Sequence, residues 1–183
     1  MAASIGILLV SGSTRDASTN TAALRTVRAL ATGGVEAVLY GRLAELPAFN
    51  PDHDERWPIV VSELRQQIAA ADAVLFCTPE YAGSLPGSFK NLLDWTVGGG
   101  EMDRKPVAWI TVAAEGRGGR AAEVLSKVLG YLGTVVIEPA CVRLPVGRDA
   151  VGPEGTVTDP DVRSGLTKVI GAIIAHVSAA TGE

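Results

Sequence analysis

Two stretches of this chain, residues 4–10 and 73–77, are apolar apart from the opening Ser4. Each breaks off into a loop of hydroxyl, glycine and proline residues before a helical pattern begins. A short run with no polar alternation reads as a strand covered on both faces, the condition of a parallel sheet between layers of helices. The alternation continues along the chain. Strands are expected at 4–10, 35–40, 73–77, 106–113 and 134–138, and helices at 20–32, 58–71, 86–97, 119–132 and 160–180. Five such units predict an α/β fold with a parallel sheet. At 183 residues and 47% hydrophobic content they predict one domain, residues 1–183, with a sizeable core.

The loops after the first and third strands carry the chemistry. Ser11-Gly12-Ser13-Thr14-Arg15-Asp16-Ala17-Ser18-Thr19-Asn20-Thr21 joins the first strand to a helix. The unpaired N–H groups of a first helical turn and the helix dipole both favour an anion. Ser13, Ser18, Thr19, Asn20 and Thr21 add side-chain donors, and Arg15 adds a charge-assisted one. The same residues also make an ordinary helix cap. The second loop runs from Thr78 through Pro79, Glu80, Tyr81, Ala82, Gly83 and Ser84 to Pro86 and Gly87, then enters a helix ending in Asp94-Trp95. Its composition suits a shaped ledge at the carboxyl end of a strand, where α/β proteins place ligands, and it also suits a proline-rich turn.

Together the two loops resemble the NADPH-dependent FMN reductase family. Gly12, Ser13, Arg15, Ser18 and Asn20 match its phosphate loop. Pro79, Glu80, Tyr81, Ser84, Pro86, Gly87, Lys90, Asn91, Asp94 and Trp95 follow in the family's order. Ala82 departs from it, standing where the family usually has Asn. The resemblance implies a flavodoxin-like three-layer sandwich with strand order 2-1-3-4-5, which brings both loops to one crevice where the winding reverses. It further implies FMN as cofactor, NADPH or NADH as cosubstrate, a small-molecule electron acceptor, and a homodimer or homotetramer. On this reading Ser13 to Thr21 hold the phosphate and Pro79 to Ser84 lie along the isoalloxazine. A third loop, with Gly116, Arg117 and Gly118, approaches the ring edge, and Arg117 or Arg120 is a candidate for the 2′-phosphate of NADPH. Helix 3 with Trp95 is a candidate subunit contact.

No nucleophile set is expected, because a flavin carries its own chemistry. Glu80 reads as a carboxylate satisfying N–H groups, and Lys90 with Asp94 as an exposed pair. The net charge of −4 and the lack of a basic block argue against nucleic acid. Cys77 and Cys141 read as buried free thiols, with no metal motif. No membrane span and no signal peptide is evident, so a cytoplasmic protein is expected. Residues 41–57 and 145–159 read as connectors. The rival reading is a flavodoxin-like electron carrier, or flavin-binding module, without turnover of its own.

Overall fold

Strand β1 (Ile5–Ser11) takes the middle of a parallel sheet because both of its faces are apolar. Ile7 and Leu9 point to one helix layer, Leu8 and Val10 to the other, and all four are buried. In the computed structural model, which describes residues 4–53 and 57–181, β1 pairs with β2 (Val35–Tyr40) on one side and β3 (Ala73–Cys77) on the other. Leu9 stands beside Leu39 and Leu75. Strand β4 (Pro106–Thr111) pairs with β3, and the order is 2-1-3-4-5, as the resemblance implied.

Helices α1 (Thr19–Leu30) and α5 (Pro160–Thr181) cover the face bearing Ile7 and Leu9. The opposite face is covered by α2 (Ile59–Ala70), α3 (Gly87–Asp94) and α4 (Gly119–Tyr131), whose Leu64, Phe89 and Leu125 are fully buried against Leu8, Val74 and Phe76. Each of these side chains contributes roughly 1.5–3 kcal/mol by leaving water. The arrangement is a three-layer sandwich.

The far edge of the sheet departs from expectation. In place of one strand over 134–138 there are two short ones, β5 (Val135–Val136) and β6 (Val142–Arg143), separated by a 3-10 turn at Glu138–Ala140. Pro139 has no N–H to give to a ladder, which is a local reason for the break. β5 pairs with the start of β4 and β6 with its end, at Ile110 and Thr111. The chain thereby climbs to the carboxyl end of the sheet, where the N–H groups of Leu144 and Val146 each donate, at 2.9 Å, to the carbonyls of Thr111 and Val112.

Helix α3 also ends early, at Asp94 rather than 97, and Trp95 turns inward with 2% of its surface exposed. A subunit contact through Trp95 is therefore corrected: this side chain belongs to the core. The 41–57 segment is more than a connector. Leu43 and Leu46 are buried, and the Pro47 carbonyl accepts hydrogen bonds from Asn91 Nδ2 and Trp95 Nε1, both at 2.8 Å. The Phe49 N–H donates to Asn91 Oδ1 at 2.7 Å, and the Phe49 ring meets Trp95 edge-on at 5.1 Å. Residues 54–56 of this segment lie outside the described residues. Among the described residues, no helix is long and apolar enough to cross a membrane.

Candidate functional site

Strands β1 and β3 end side by side, Ser11 opposite Cys77, and their loops leave in different directions. The Gly12 N–H donates to the Cys77 carbonyl at 2.8 Å. A Cβ on Gly12 would lie 2.2 Å from Thr78 Oγ1, so only glycine lets the two loops cross this closely. Beyond the crossing, Ser18 caps α1 in an extended conformation, its Oγ accepting from the Thr21 N–H at 3.4 Å. The N–H groups of Thr19 and Asn20 precede any partner the helix's own ladder can offer. The Ser13 Oγ accepts from the Arg15 N–H at 3.2 Å, and Arg15 Nη2 donates to the Ala17 carbonyl at 2.9 Å, which holds the guanidinium beside the start of α1.

Asn20 reaches the other way. Its Oδ1 accepts from Cys77 Sγ at 3.3 Å, joining the first turn of α1 to the end of β3. Burial pushes the Cys77 thiol far above its ordinary range, which keeps it protonated and able to donate. Cys141 is half-buried rather than buried, and desolvation raises its thiol to about 11.

In the second loop, Tyr81 and Ser84 exchange two backbone hydrogen bonds of 3.0 Å around Ala82 and Gly83, whose φ values are 51° and 71°. Positive φ at both central residues makes a two-residue hairpin of the primed type. Glu80 Oε2 accepts from the Ala121 N–H at 3.2 Å, so the N–H group that it satisfies belongs to the first turn of α4. A carboxylate there also meets the positive end of the helix dipole. In the third loop, Gly118 caps α4 at φ 78°, where a Cβ would lie 2.9 Å from both Ala113 Cβ and Thr111 Cγ2. Arg143 Nη1, from β6, donates to the carbonyls of Ala113 (3.2 Å), Ala114 (3.4 Å) and Arg117 (2.6 Å), fixing this loop from beneath.

The three loops border one open cleft of about 690 Å³. Of the residues singled out from sequence, Ser13, Arg15, Ser18, Thr19, Asn20, Pro79, Glu80, Tyr81, Arg117 and Gly118 line it. Thr21, Ala82, Gly83, Ser84 and Gly116 do not. The Thr21 hydroxyl is engaged with Ser11 Oγ at 2.8 Å, and residues 82–84 form the hairpin behind Tyr81. Arg120 lies against this hairpin, with Nη1 3.3 Å from where a Gly83 Cβ would stand.

Sequence reasoning missed Val146 and Arg148, which line the cleft from a segment read as a connector, and Arg143, which acts from behind it. No local pattern marks them, because the pairing of β6 with β4 is what delivers them. Among the described residues, no carboxylate forms a salt bridge with Arg15, Arg117 or Arg148, so a cationic cleft sits on a chain of net charge −4. No three His, Cys, Asp or Glu side chains gather as metal ligands among those residues.

These groups fit FMN. Ser13, Arg15, Ser18 and the first N–H groups of α1 suit a phosphate. Pro79 to Tyr81, with Ala113, Ala114 and Gly118, offer surface for a ring system at the strand ends, where Gly118 leaves the backbone bare.

Comparison with known proteins agrees. Residues 5–148 match the NADPH-dependent FMN reductase family. An NAD(P)H-dependent FMN reductase from Pseudomonas aeruginosa is 33% identical over 178 residues, covering 94% of this chain and 95% of that protein. A quinone reductase of Escherichia coli is 30% identical over 173 residues, 91% of this chain and 92% of that one. The solved structure of FerB, a flavoenzyme NAD(P)H:(acceptor) oxidoreductase from Paracoccus denitrificans, superposes with a TM-score of 0.83. It is 29% identical and covers 96% of this chain and 98% of its own.

Proposed function

The chain belongs to the NADPH-dependent FMN reductase family, and we propose that the cleft bordered by its three loops is where it holds FMN and turns over a quinone-type acceptor. The protein is an FMN-dependent NAD(P)H oxidoreductase. In the proposed site, the N–H groups of Thr19 and Asn20, with the side chains of Ser13, Ser18 and Arg15, hold the phosphate. Pro79, Glu80, Tyr81, Ala113, Ala114 and Gly118 bound the ring system, and Arg117, exposed on the cleft's lining, can meet an anionic cosubstrate. FMN bound there supplies the redox chemistry, accepting hydride from the nicotinamide and delivering two electrons to the acceptor.

The chain's own part is positioning. Glu80 locks the second loop to α4, Arg143 locks the third to β6, and Asn20 locks α1 to β3, so three separate loops share one rigid frame. Tyr81 is half exposed at the mouth, leaving room for two flat molecules to visit in turn. The convergence of a cationic, hydroxyl-lined helix start with a bare strand-end ledge in one cleft is the observation that carries this reading.

Quinones are the acceptor class we propose, on the likeness to the E. coli quinone reductase and on the openness of the cleft. The proposal also includes a single FMN-binding domain over 1–183 and work in the cytoplasm, which two unpaired cysteines suit. It includes assembly of two or four copies as well. A contact near α3 and α4 would use Val97 and Tyr131, which are 53% and 84% exposed, in place of the buried Trp95.

The test is anaerobic titration of purified, FMN-loaded protein. NADPH should bleach the oxidised flavin spectrum and benzoquinone should restore it, with parallel double-reciprocal lines in steady state. Protein that stays colourless with excess FMN, or intersecting lines that demand a ternary complex, would overturn the proposal. Flavin that binds but resists NADPH would return the chain to the electron-carrier reading.

A further inference from the structure

A second chamber, of about 370 Å³, adjoins the cleft at the start of α1. The two share Arg15, Ser18, Thr19 and Arg148 as their common wall. The second adds Arg25, from the second turn of α1, and contains one acid, Asp16. Among the described residues no carboxylate forms a salt bridge with any of the three arginines. Like charges brought to one small concave surface repel, and an anion relieves that repulsion.

The wall is built rather than incidental. The buried Thr26 hydroxyl, next in sequence to Arg25, accepts the Val157 N–H at 2.8 Å, and Val157 bridges Val151, which pins the 148–157 segment onto α1. Gly155 adopts φ 69°, and a Cβ there would lie 3.0 Å from Arg25 Nη1, so the bare backbone leaves space for the guanidinium.

We propose that Arg15, Arg25 and Arg148 form a second phosphate subsite, adjoining the flavin phosphate position and open to an adenine nucleotide. This rests on the FMN reading above, which supplies the first phosphate. Two molecules could bring the second one. FAD carries it joined to the first, with its adenylate entering the chamber beside Ala17, Ala22 and Val151, and NADPH carries it as the 2′-phosphate.

Arg25 belongs to the second chamber and not to the flavin cleft, so Arg25→Ala separates the two sites. Flavin-free full-length protein, wild type and variant, is titrated with FMN and with FAD by fluorescence quenching. The reconstituted enzymes are then assayed with NADPH and with NADH. Loss of one charge-assisted phosphate contact predicts roughly a tenfold change in a selectivity ratio. A fall in FAD affinity relative to FMN supports the subsite and identifies the dinucleotide flavin. A rise in the NADPH KM relative to NADH supports it and identifies the 2′-phosphate. The subsite is refuted if neither ratio moves, including the case in which both flavins weaken equally. Arg25→Gln, which keeps the aliphatic stem and a hydrogen-bonding end without charge, gives the same readout if Arg25→Ala fails to fold. Failure of wild type to bind FMN at all would strike the earlier reading instead.

Discussion

Ala82 occupies a conformation that alanine dislikes. Its φ of 51° lies in the left-handed region, and its side chain points to solvent, so no packing offsets the strain. The left-handed conformation costs an L-residue about 1–2 kcal/mol, and asparagine is several-fold enriched there because its short amide can bond locally. The family's usual Asn at this position thus has a backbone explanation that needs no contact with flavin. Replacing Ala82→Asn should recover about 0.5–1 kcal/mol. For a chain of this length that is a rise in melting temperature of about 1–4 °C.

The assay is thermal unfolding of the flavin-free protein, paired with an FMN titration. If the hairpin alone is relieved, Ala82→Asn raises the melting temperature while FMN affinity stays within about twofold. Ala82→Val should do the reverse and lower the melting temperature, since a β-branched residue fits this region worse still. An unchanged melting temperature in Ala82→Asn together with tighter FMN binding would refute the backbone argument and assign the family's Asn to direct flavin contact. A Val variant as stable as wild type would refute it too.

Gly118→Ala should destabilise by about 1–3 kcal/mol, because the new Cβ meets Ala113 and Thr111 at 2.9 Å while φ stays positive; denaturant midpoints measure it, and a neutral result removes the close-packing claim. Arg143→Ala frees three carbonyls of the third loop and should speed amide hydrogen exchange at residues 115–117 and weaken FMN roughly tenfold; unaltered exchange would show that the loop holds itself. Stability should decline above pH 9. Folding raises the Cys77 and Cys141 thiols above 9.0 and the Tyr40 hydroxyl from 10.0 to about 12, chiefly by desolvation, so the unfolded chain releases these protons first as pH rises. Their contribution is complete below the unfolded values and falls through the window above them, from about 9 to 11 for Cys141 and 10 to 12 for Tyr40. Cys77→Ala should flatten the alkaline slope of urea-unfolding free energy against pH; an identical slope would count against a protonated, donating thiol.

What could be read from the sequence was whatever is fixed locally. The apolar runs at 4–10 and 73–77 had to be interior strands, and the hydroxyls after the first run had to precede a helix start, because short-range sterics and hydrophobic periodicity decide both. Asn91 and Trp95 mark the limit of that kind of reading. They sit four residues apart, hence on one face of the chain, and the sequence marks both as family motif and Trp95 as a candidate subunit contact. Their polar atoms in fact converge on the single carbonyl of Pro47, more than forty positions away, and hold the 41–50 segment against α3. Val146, Arg148 and Arg143 are further still from local legibility, since two-residue β6 has too short a pattern to be recognised and its place is set by Ile110 and Thr111 of β4. The cleft therefore has two kinds of wall. Loops that follow long strands announce themselves through composition, whereas the wall delivered by β6 depends on a nonlocal pairing. A variant that disrupts β6 without touching any loop, such as Val142→Pro, should lose Arg143 and Arg148 together and weaken FMN binding more than Arg143→Ala alone. Equal losses in the two variants would show that Arg148 and Val146 are not held by that pairing.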